Sequence, residues 1–200
     1  MEGPAPGPDA KEATLLTAKT LSASKKLSVT AVFAALIAVG TFFSIPMPPP
    51  LYEITWAPAI YLALSATVDI PTSVSATAIG SFIGEAINVT VKGGSPIYPF
   101  GMLWARGPEA LIVGWARKRS RRTLVAAMVA ATVFETLAFF FSDWLFYAYG
   151  LFQYGSPTSM TAAFGSASWD LLTMLDVVFI PVAFGIIAGA RPAFRRLGFV

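Results

Sequence analysis

The 200-residue chain contains no cysteine and no histidine. The first absence excludes disulfides, thiol nucleophiles and thiolate metal sites, and the second excludes imidazole acid–base chemistry. Charged residues are also scarce at 12%, whereas 56% of the residues are hydrophobic and occur in long blocks. A soluble domain has a different balance. The composition therefore predicts an integral membrane protein, for which we expect no metal site, no cofactor and no nucleic-acid partner.

Six apolar blocks are separated by residues that begin or end helices. A spanning helix needs about 20 mostly apolar residues, and Pro46, Asp69 with Pro71, and Gly93 stand at block boundaries, where such residues stop or cap helices. We predict an all-α integral membrane protein in which a flexible cytoplasmic tail, residues 1–24, precedes a six-helix membrane domain, residues 25–200. The predicted spans are Leu27–Ile45, Tyr52–Val68, Thr72–Val91, Ile97–Ala116, Thr123–Tyr147 and Trp169–Ala190.

The basic residues predict the orientation. Of the 14 Lys and Arg residues, four precede the first span, five fill the fourth-to-fifth connection and three follow the sixth span. If the chain crosses the membrane six times, these three segments lie on the same side of the membrane. An excess of Lys and Arg is typical of the cytoplasmic side. We therefore expect a multi-pass protein of the cytoplasmic membrane with both termini inside.

Besides Glu53 at the start of the second span, six acidic residues lie inside the predicted spans. They are Glu85, Glu109, Glu135, Asp143, Asp170 and Asp176. Asp143 and Asp170 lie near the outer ends, where we expect them to be solvated. Each deeper charge costs about 2.5–3.5 kcal/mol even on a mild scale. Arg106 is the one base within a span, and we expect it to pair with Glu109, three residues on, or to meet Glu85.

One arginine cannot neutralise four deep carboxylates, so protonation, water, a structural ion network or a ligand must account for the rest. We favour a ligand that is cationic or donates hydrogen bonds. Aromatic residues toward the outer side favour the same interpretation, because they stack on flat rings and cations, although an interfacial belt explains any single one. The uncharged connection over residues 148–168 is a predicted lid. The predicted binding residues are Glu85, Asn88, Trp104, Arg106, Glu109, Glu135, Tyr147, Trp169 and Asp176.

Small residues recur at four-residue steps. The third span carries the stripe Ala76, Gly80, Gly84 and Asn88. The first span carries two alternative pairs, Ala31 with Ala35 and Ala34 with Ala38. Packing between helices of the same molecule is the ordinary explanation for such patterns. The more specific explanation is that another membrane subunit docks on them. The spacing leaves both open.

Three segments, in the order KKLSVTAVFAALIAVGTFFSIP, IGSFIGEAIN and GGSPIYPFGMLWARGPEALIVGWARKR, carry a family resemblance. From about Lys25 to Arg196 the chain resembles the substrate-binding S components of energy-coupling factor (ECF) importers. The resemblance implies an outward-facing pocket for a vitamin-like molecule, and assembly with a transmembrane coupling subunit and two ATPases. It also implies that one of the two alanine pairs contacts the coupling subunit. Because the chain has no GxxxxGK[ST] loop, energised transport needs such a partner.

The sequence indicates the identity of the substrate less clearly than it indicates the family resemblance. The segment around Gly107–Ala110, with its Gly-x-Glu-Ala step, is similar to S components for thiamin or its hydroxymethylpyrimidine precursor. Arg106 equally suits a carboxylate-bearing vitamin such as biotin or pantothenate. We rank the thiamin type first, and we do not expect an enzyme.

Three other functions stay open. A stand-alone carrier could use protons on Glu109 and Glu135, but the two halves show none of the similarity that carriers usually have. An intramembrane aspartyl-type enzyme could use two of Asp143, Asp170 and Asp176, but no GxGD step supports it. The third is a structural subunit without a ligand.

Overall fold

The computed structural model describes residues 23–46, 53–151 and 159–197. Most of the predicted tail and residues 152–158 of the predicted lid lie outside the described residues. The described chain is helical apart from one short β-ribbon. Its elements are α1 (Ala23–Phe42), β1 (Ser44–Pro46), β2 (Glu53–Thr55), α2 (Ala57–Ser65), α3 (Ile70–Lys92), α4 (Tyr98–Ala116), α5 (Arg121–Ala148), α6 (Met160–Ala167), a 3₁₀ segment (Ser168–Val178) and α7 (Phe179–Leu197).

Four helical stretches in the described residues are long and apolar enough to cross a membrane. They are Ala23–Phe42, Ile70–Lys92, Arg121–Ala148 and Met160–Ala193. Large apolar side chains are exposed along them, including Leu36, Ile83 and Phe141, while many polar side chains are buried. This is the reverse of a soluble protein, whose large exposed apolar patches are few. The chain is therefore a multi-pass membrane protein by the character of its helices. Six spans and inward termini stay predictions.

The second predicted span, Tyr52–Val68, is wrong in its bounds. Its helix, α2, has nine residues and a length of about 14 Å, which is too short to cross a bilayer by itself. The chain before it forms an antiparallel ribbon in which Ser44 pairs with Thr55 and Ile45 with Ile54. The ribbon also ends the first span at Phe42 instead of Ile45. α2 is buried on nearly all sides, as expected of a helix that is apolar all round.

The sixth predicted span begins too late. Helical structure starts at Met160, not at Trp169, and is wound as a 3₁₀ helix from Ser168 to Val178. α6 packs on α5 through aromatic rings, with Phe164 edge-on to Phe140 and Trp144 at centroid distances of 5.3 and 5.4 Å. Part of the predicted lid is therefore a helix attached to the bundle.

α1 and α3 meet through their backbones. A Cβ placed on Gly80 would lie 2.5 Å from the carbonyl oxygen of Ala34, and one on Gly84 would lie 2.7 Å from that of Ala38. Only glycine permits this approach, and close backbone approach is what packs helices in lipid. The small-residue stripe of the third span is thus a packing stripe. The same contact covers Ala34 and Ala38, which are 6% and 7% exposed.

Both ends of α3 follow the predicted signals. Asp69 accepts hydrogen bonds from the Thr72 backbone N–H at 3.4 Å and from its hydroxyl at 3.0 Å, which is an N-cap. At the other end Gly93 has φ +86°, a conformation that glycine adopts without strain. These ends fix the position of Ser81, Glu85 and Asn88 along the bundle.

Candidate functional site

A buried ion pair joins α4 and α5 near the middle of the bundle. The Arg106 Nε donates to the Glu135 Oε1 at 2.8 Å, and the Tyr61 hydroxyl on α2 donates to the Glu135 Oε2 at 3.0 Å. Arg106 is 5% exposed, Glu135 is 1% exposed and Tyr61 is 0% exposed. Each oxygen of the Glu135 carboxylate therefore has its own charge-compatible donor.

The rest of the Arg106 guanidinium is held more loosely. Nη1 lies 3.4 Å from the Thr41 hydroxyl on α1 and 3.5 Å from the Ser81 hydroxyl on α3, and Nη2 lies 3.5 Å from the Thr55 hydroxyl on β2. The Tyr61 ring faces the guanidinium, with its centroid 5.6 Å from Cζ. Contacts of 3.4–3.5 Å are long for N–H···O bonds. The two terminal nitrogens therefore retain donor capacity for a further acceptor.

Glu109 lies one turn along α4 from Arg106. Its side chain is 0% exposed, and neither carboxylate oxygen has a hydrogen-bond partner. It interacts electrostatically with Glu135, Tyr61 and Arg106. The predicted pairing of Arg106 with Glu109 is wrong, because the guanidinium bonds to Glu135 and both Glu109 oxygens lack a hydrogen-bond partner. The guanidinium is directed at α5 instead, where the Glu135 Oε1 lies 2.8 Å from the Arg106 Nε. The meeting of Arg106 with Glu85 stays a prediction.

Asp176 adds a third carboxylate from the 3₁₀ segment. It is 8% exposed and interacts electrostatically with Glu135 and Arg106. The buried cluster, as we name it, consists of Tyr61, Arg106, Glu109, Glu135 and Asp176. It contains three carboxyl groups and one guanidinium, and in the described part of the chain the Thr41, Ser81 and Thr55 hydroxyls also contact the guanidinium.

The 3₁₀ winding determines which residues face α5. Residues three apart are eclipsed in a 3₁₀ helix, so Asp170, Thr173 and Asp176 share one face. Thr173 Oγ1 lies 2.9 Å from the Thr136 Oγ1 on α5. In an α-helix the two aspartates would diverge by about 120°, and only one would face α5. The winding thus turns both carboxylates toward the same neighbouring helix.

A second acidic group lies nearer the end of α5. The Tyr98 hydroxyl donates to the Asp143 Oδ2 at 2.7 Å, and Asp143 interacts electrostatically with Asp170. Asp143 is 2% exposed, so the expectation that it is solvated is wrong; Asp170 is half-buried. Tyr147 is half-buried and lies near Tyr98. Tyr147 therefore belongs to this second acidic group and not to the buried cluster.

Glu85 and Asn88 reach the buried cluster indirectly. The Asn88 Nδ2 lies 3.4 Å from the Glu85 Oε2 and donates to the Thr41 carbonyl oxygen at 3.3 Å. The Thr41 hydroxyl in turn contacts Arg106. Thr41 thus connects the α3 pair to the guanidinium, and the predicted polar face of α3 is adjacent to the site.

Two predicted aromatic residues lie elsewhere. Trp104 is 41% exposed and donates its indole N–H to the Ser142 hydroxyl at 2.9 Å. It stands two residues before Arg106, which places it about 200° around α4. Trp169 is 48% exposed. Neither side chain is positioned to form an aromatic cage around the buried cluster.

Four residues of the site were missed from the sequence: Tyr61, Thr41, Thr55 and Ser81. A signal existed for one of them. Tyr61 is the single polar aromatic side chain in the apolar helix α2, and a buried tyrosine hydroxyl normally has a partner. The three hydroxyls carry no such signal, because serine and threonine are common in membrane helices and their neighbours depend on packing.

Comparison of the chain with protein-family models, curated proteins and solved structures gives no match. The inference of function therefore depends on the residues. The buried cluster offers a free carboxylate acceptor at Glu109 beside guanidinium donors at Arg106. Such an arrangement suits recognition of a small polar molecule.

Proposed function

We propose that this chain is the substrate-binding S component of an ECF-type importer, a six-span protein with both termini in the cytoplasm. The observation that carries the proposal is Glu109, whose two oxygens are buried without partners beside an excess of negative charge. A buried polar group without a partner costs free energy unless it serves another purpose. The order of the family-like segments supports the same assignment.

The ligand in this proposal is a small vitamin-like molecule that carries a cationic or hydrogen-bond-donating group. Glu109 accepts from that group, while the terminal nitrogens of Arg106 bind an acceptor on the same molecule. Thiamin or its hydroxymethylpyrimidine precursor fits this pairing of donor and acceptor. A carboxylate-bearing vitamin would use its charge on Arg106 and could offer Glu109 only neutral N–H or O–H donors, so we place it second.

In the proposed importer, this chain needs a surface on which the coupling subunit, with the two ATPases, can dock. Ala34 and Ala38 are covered by α3, whereas Ala31 and Ala35 lie on the exposed side of α1. The exposed pair is flanked by larger side chains such as Val32. We therefore assign the contact with the coupling subunit to Ala31 and Ala35, where small side chains allow another helix to approach closely.

The test of the proposal is a tryptophan-fluorescence titration of the purified protein against thiamin, hydroxymethylpyrimidine, biotin and pantothenate. Saturable binding of one compound supports a substrate receptor. Folded protein that binds none of the four contradicts the proposed substrate classes and favours a structural subunit.

Docking is tested by co-purification with the coupling subunit and ATPases. Ala35→Leu is expected to abolish the complex and leave ligand binding intact. Val32→Leu places the same side chain on the neighbouring strip of α1 and is expected to leave the complex intact. Equal recovery with both variants would remove the alanine pair from the interface.

One observation favours a second candidate function. Asp143 and Asp170 face each other, as an intramembrane aspartyl-type enzyme requires. However, the Tyr98 hydroxyl occupies one oxygen of Asp143. Cleavage of a membrane peptide that is lost in Asp143→Asn would establish the enzyme. Uptake by the chain alone in liposomes, without ATPases, would establish a carrier instead.

A further inference from the structure

The buried cluster is unbalanced in charge. Glu135 is satisfied by Arg106 and Tyr61, whereas Glu109 is completely buried and bonds to neither. Arg106 is the one cation of the cluster in the described part of the chain. Its Nε is bonded to Glu135, and neither terminal nitrogen is bonded to Glu109, whose two oxygens have no hydrogen-bond partner. A carboxylate at Glu109 would therefore have neither an ion-pair partner nor a hydrogen-bond partner among the described residues.

None of the described elements around Glu109 supplies a hydrogen-bond partner for it. α2 contributes Tyr61, whose hydroxyl is bonded to Glu135, and α5 contributes Glu135 itself. The 3₁₀ segment contributes Asp176, which interacts with Glu135 and Arg106. The groups that α1, α3 and β2 direct toward the cluster are hydroxyls, and their contacts are to Arg106. The charged neighbours are thus one paired cation and two further acids.

We propose that the buried cluster exchanges a proton for a cation: Glu109 carries a proton in the ligand-free protein and releases it when a cationic group of a ligand binds. A neutral carboxyl group is far cheaper to bury than an unpaired carboxylate. On binding, the O–H bond of the carboxyl group breaks, the proton leaves to water, and the ligand cation takes its place beside the carboxylate. The charge of the cluster is then the same before and after binding.

Glu109 is singled out from the other two acids by geometry. Glu135 has a donor on each oxygen, and Asp176 retains 8% exposure at its position on the 3₁₀ segment. Glu109 alone combines complete burial with two unpartnered oxygens. The protonated state of the ligand-free protein follows from the cluster itself, and only the exchange step rests on the proposed function.

The exchange gives ligand binding a defined pH dependence. Releasing one proton per cation makes the dissociation constant fall as pH rises, by up to about tenfold per pH unit. A site that binds a permanently charged cation without exchange would show no such slope. Acidification therefore favours release of the ligand and alkalinisation favours its capture.

The first part of the test needs no ligand. Infrared difference spectra at neutral pH, wild type minus Glu109→Gln, are expected to show the C=O stretch of one protonated carboxyl group. Asp69→Asn is the matched control, because Asp69 lies beside Lys26 at 3.8 Å and asparagine caps a helix equally well. A difference spectrum of wild type against Glu109→Gln without that band overturns the proposal.

The second part uses thiamin, whose thiazolium is a permanent cation. Calorimetric titrations at one pH, in buffers of different ionisation heat, are expected to show release of about one proton per thiamin bound. Binding with no dependence on the buffer overturns the exchange. If thiamin does not bind, the substrate assignment of the proposed function fails, while the state of Glu109 is still decided by the infrared band.

Discussion

At the scale of single residues, one buried arginine is the centre of the polar interactions inside the bundle. Arg106 is the only base in the membrane part of the described chain that is buried, and Glu135 is its ion-pair partner. Removing one member of a buried ion pair leaves an uncompensated charge. The stability of the protein therefore depends on this pair more than on any exposed charge.

Arg106→Ala is expected to destabilise the protein by about 3–5 kcal/mol, because it leaves Glu135 charged and unpaired. The measurement is the unfolding temperature in detergent. Arg106→Ala combined with Glu135→Gln removes both charges and is expected to recover part of the loss. A single variant as stable as the wild type would contradict the role of the pair.

Tyr61→Phe removes the hydroxyl that donates to Glu135 and keeps the ring beside Arg106. A hydrogen bond to a charged group contributes about 1.5–3 kcal/mol, so the unfolding temperature should fall. Tyr149→Phe serves as the control, because Tyr149 is 63% exposed. Equal unfolding temperatures for the two variants would show that the Tyr61 hydroxyl is not an essential donor.

The sequence predicts the members of the site better than their pairing. Acids and a base inside apolar spans are visible by composition, and Arg106, Glu109, Glu135 and Asp176 do come together. Which acid meets the arginine depends on how α4 is rotated against α5, and nothing in the spacing determines that rotation. Trp104 shows this limit of prediction from sequence. It lies two residues before Arg106 on α4, and the turn of about 200° over two residues points the Trp104 side chain outward while Arg106 faces inward.

At the scale of helices and strands, the α1–α3 contact is the most sharply specified interface. Ala34 and Ala38 lie directly on Gly80 and Gly84. Small residues at four-residue steps predict such a contact from the sequence. The same steps at Gly185 and Gly189 in α7 do not produce one, since a Cβ at either position would meet nothing within 4 Å.

Gly80→Ala is expected to force α1 and α3 apart and to cost about 1–3 kcal/mol. Gly185→Ala is the matched control, and the better helix propensity of alanine should make it neutral or slightly stabilising, by up to about 1 kcal/mol. Unfolding temperatures of both variants in detergent decide the question. A loss at Gly185 as large as that at Gly80 would contradict the packing described.

The β-ribbon and the 3₁₀ segment were beyond prediction for a physical reason. The ribbon consists of two strands of three residues each, with the sequences SIP and EIT, and these are shorter than the roughly four to eight residues over which strand alternation can be recognised. The 3₁₀ segment has the composition of an ordinary apolar span. Its winding depends on the contacts of Asp170, Thr173 and Asp176 with α5, which exist only in the folded protein.

At the scale of the whole molecule, six spans with both termini inside can be tested directly because the chain contains no cysteine. Single cysteines at Ser24, Lys118 and Pro96 provide the reporters. A membrane-impermeant maleimide added to intact cells should label Pro96→Cys and spare the other two, which should react only after permeabilisation. Labelling of Ser24→Cys in intact cells would invert the proposed orientation.

The central claim is that the buried cluster binds the ligand through Glu109. The most direct measurement compares the affinity of wild type, Glu109→Gln and Asp69→Asn for whichever vitamin binds in the fluorescence titration. Loss of charge-assisted hydrogen bonds should weaken Glu109→Gln about 10- to 100-fold, with Asp69→Asn unchanged. Equal affinity in all three proteins would place the ligand elsewhere and contradict the account.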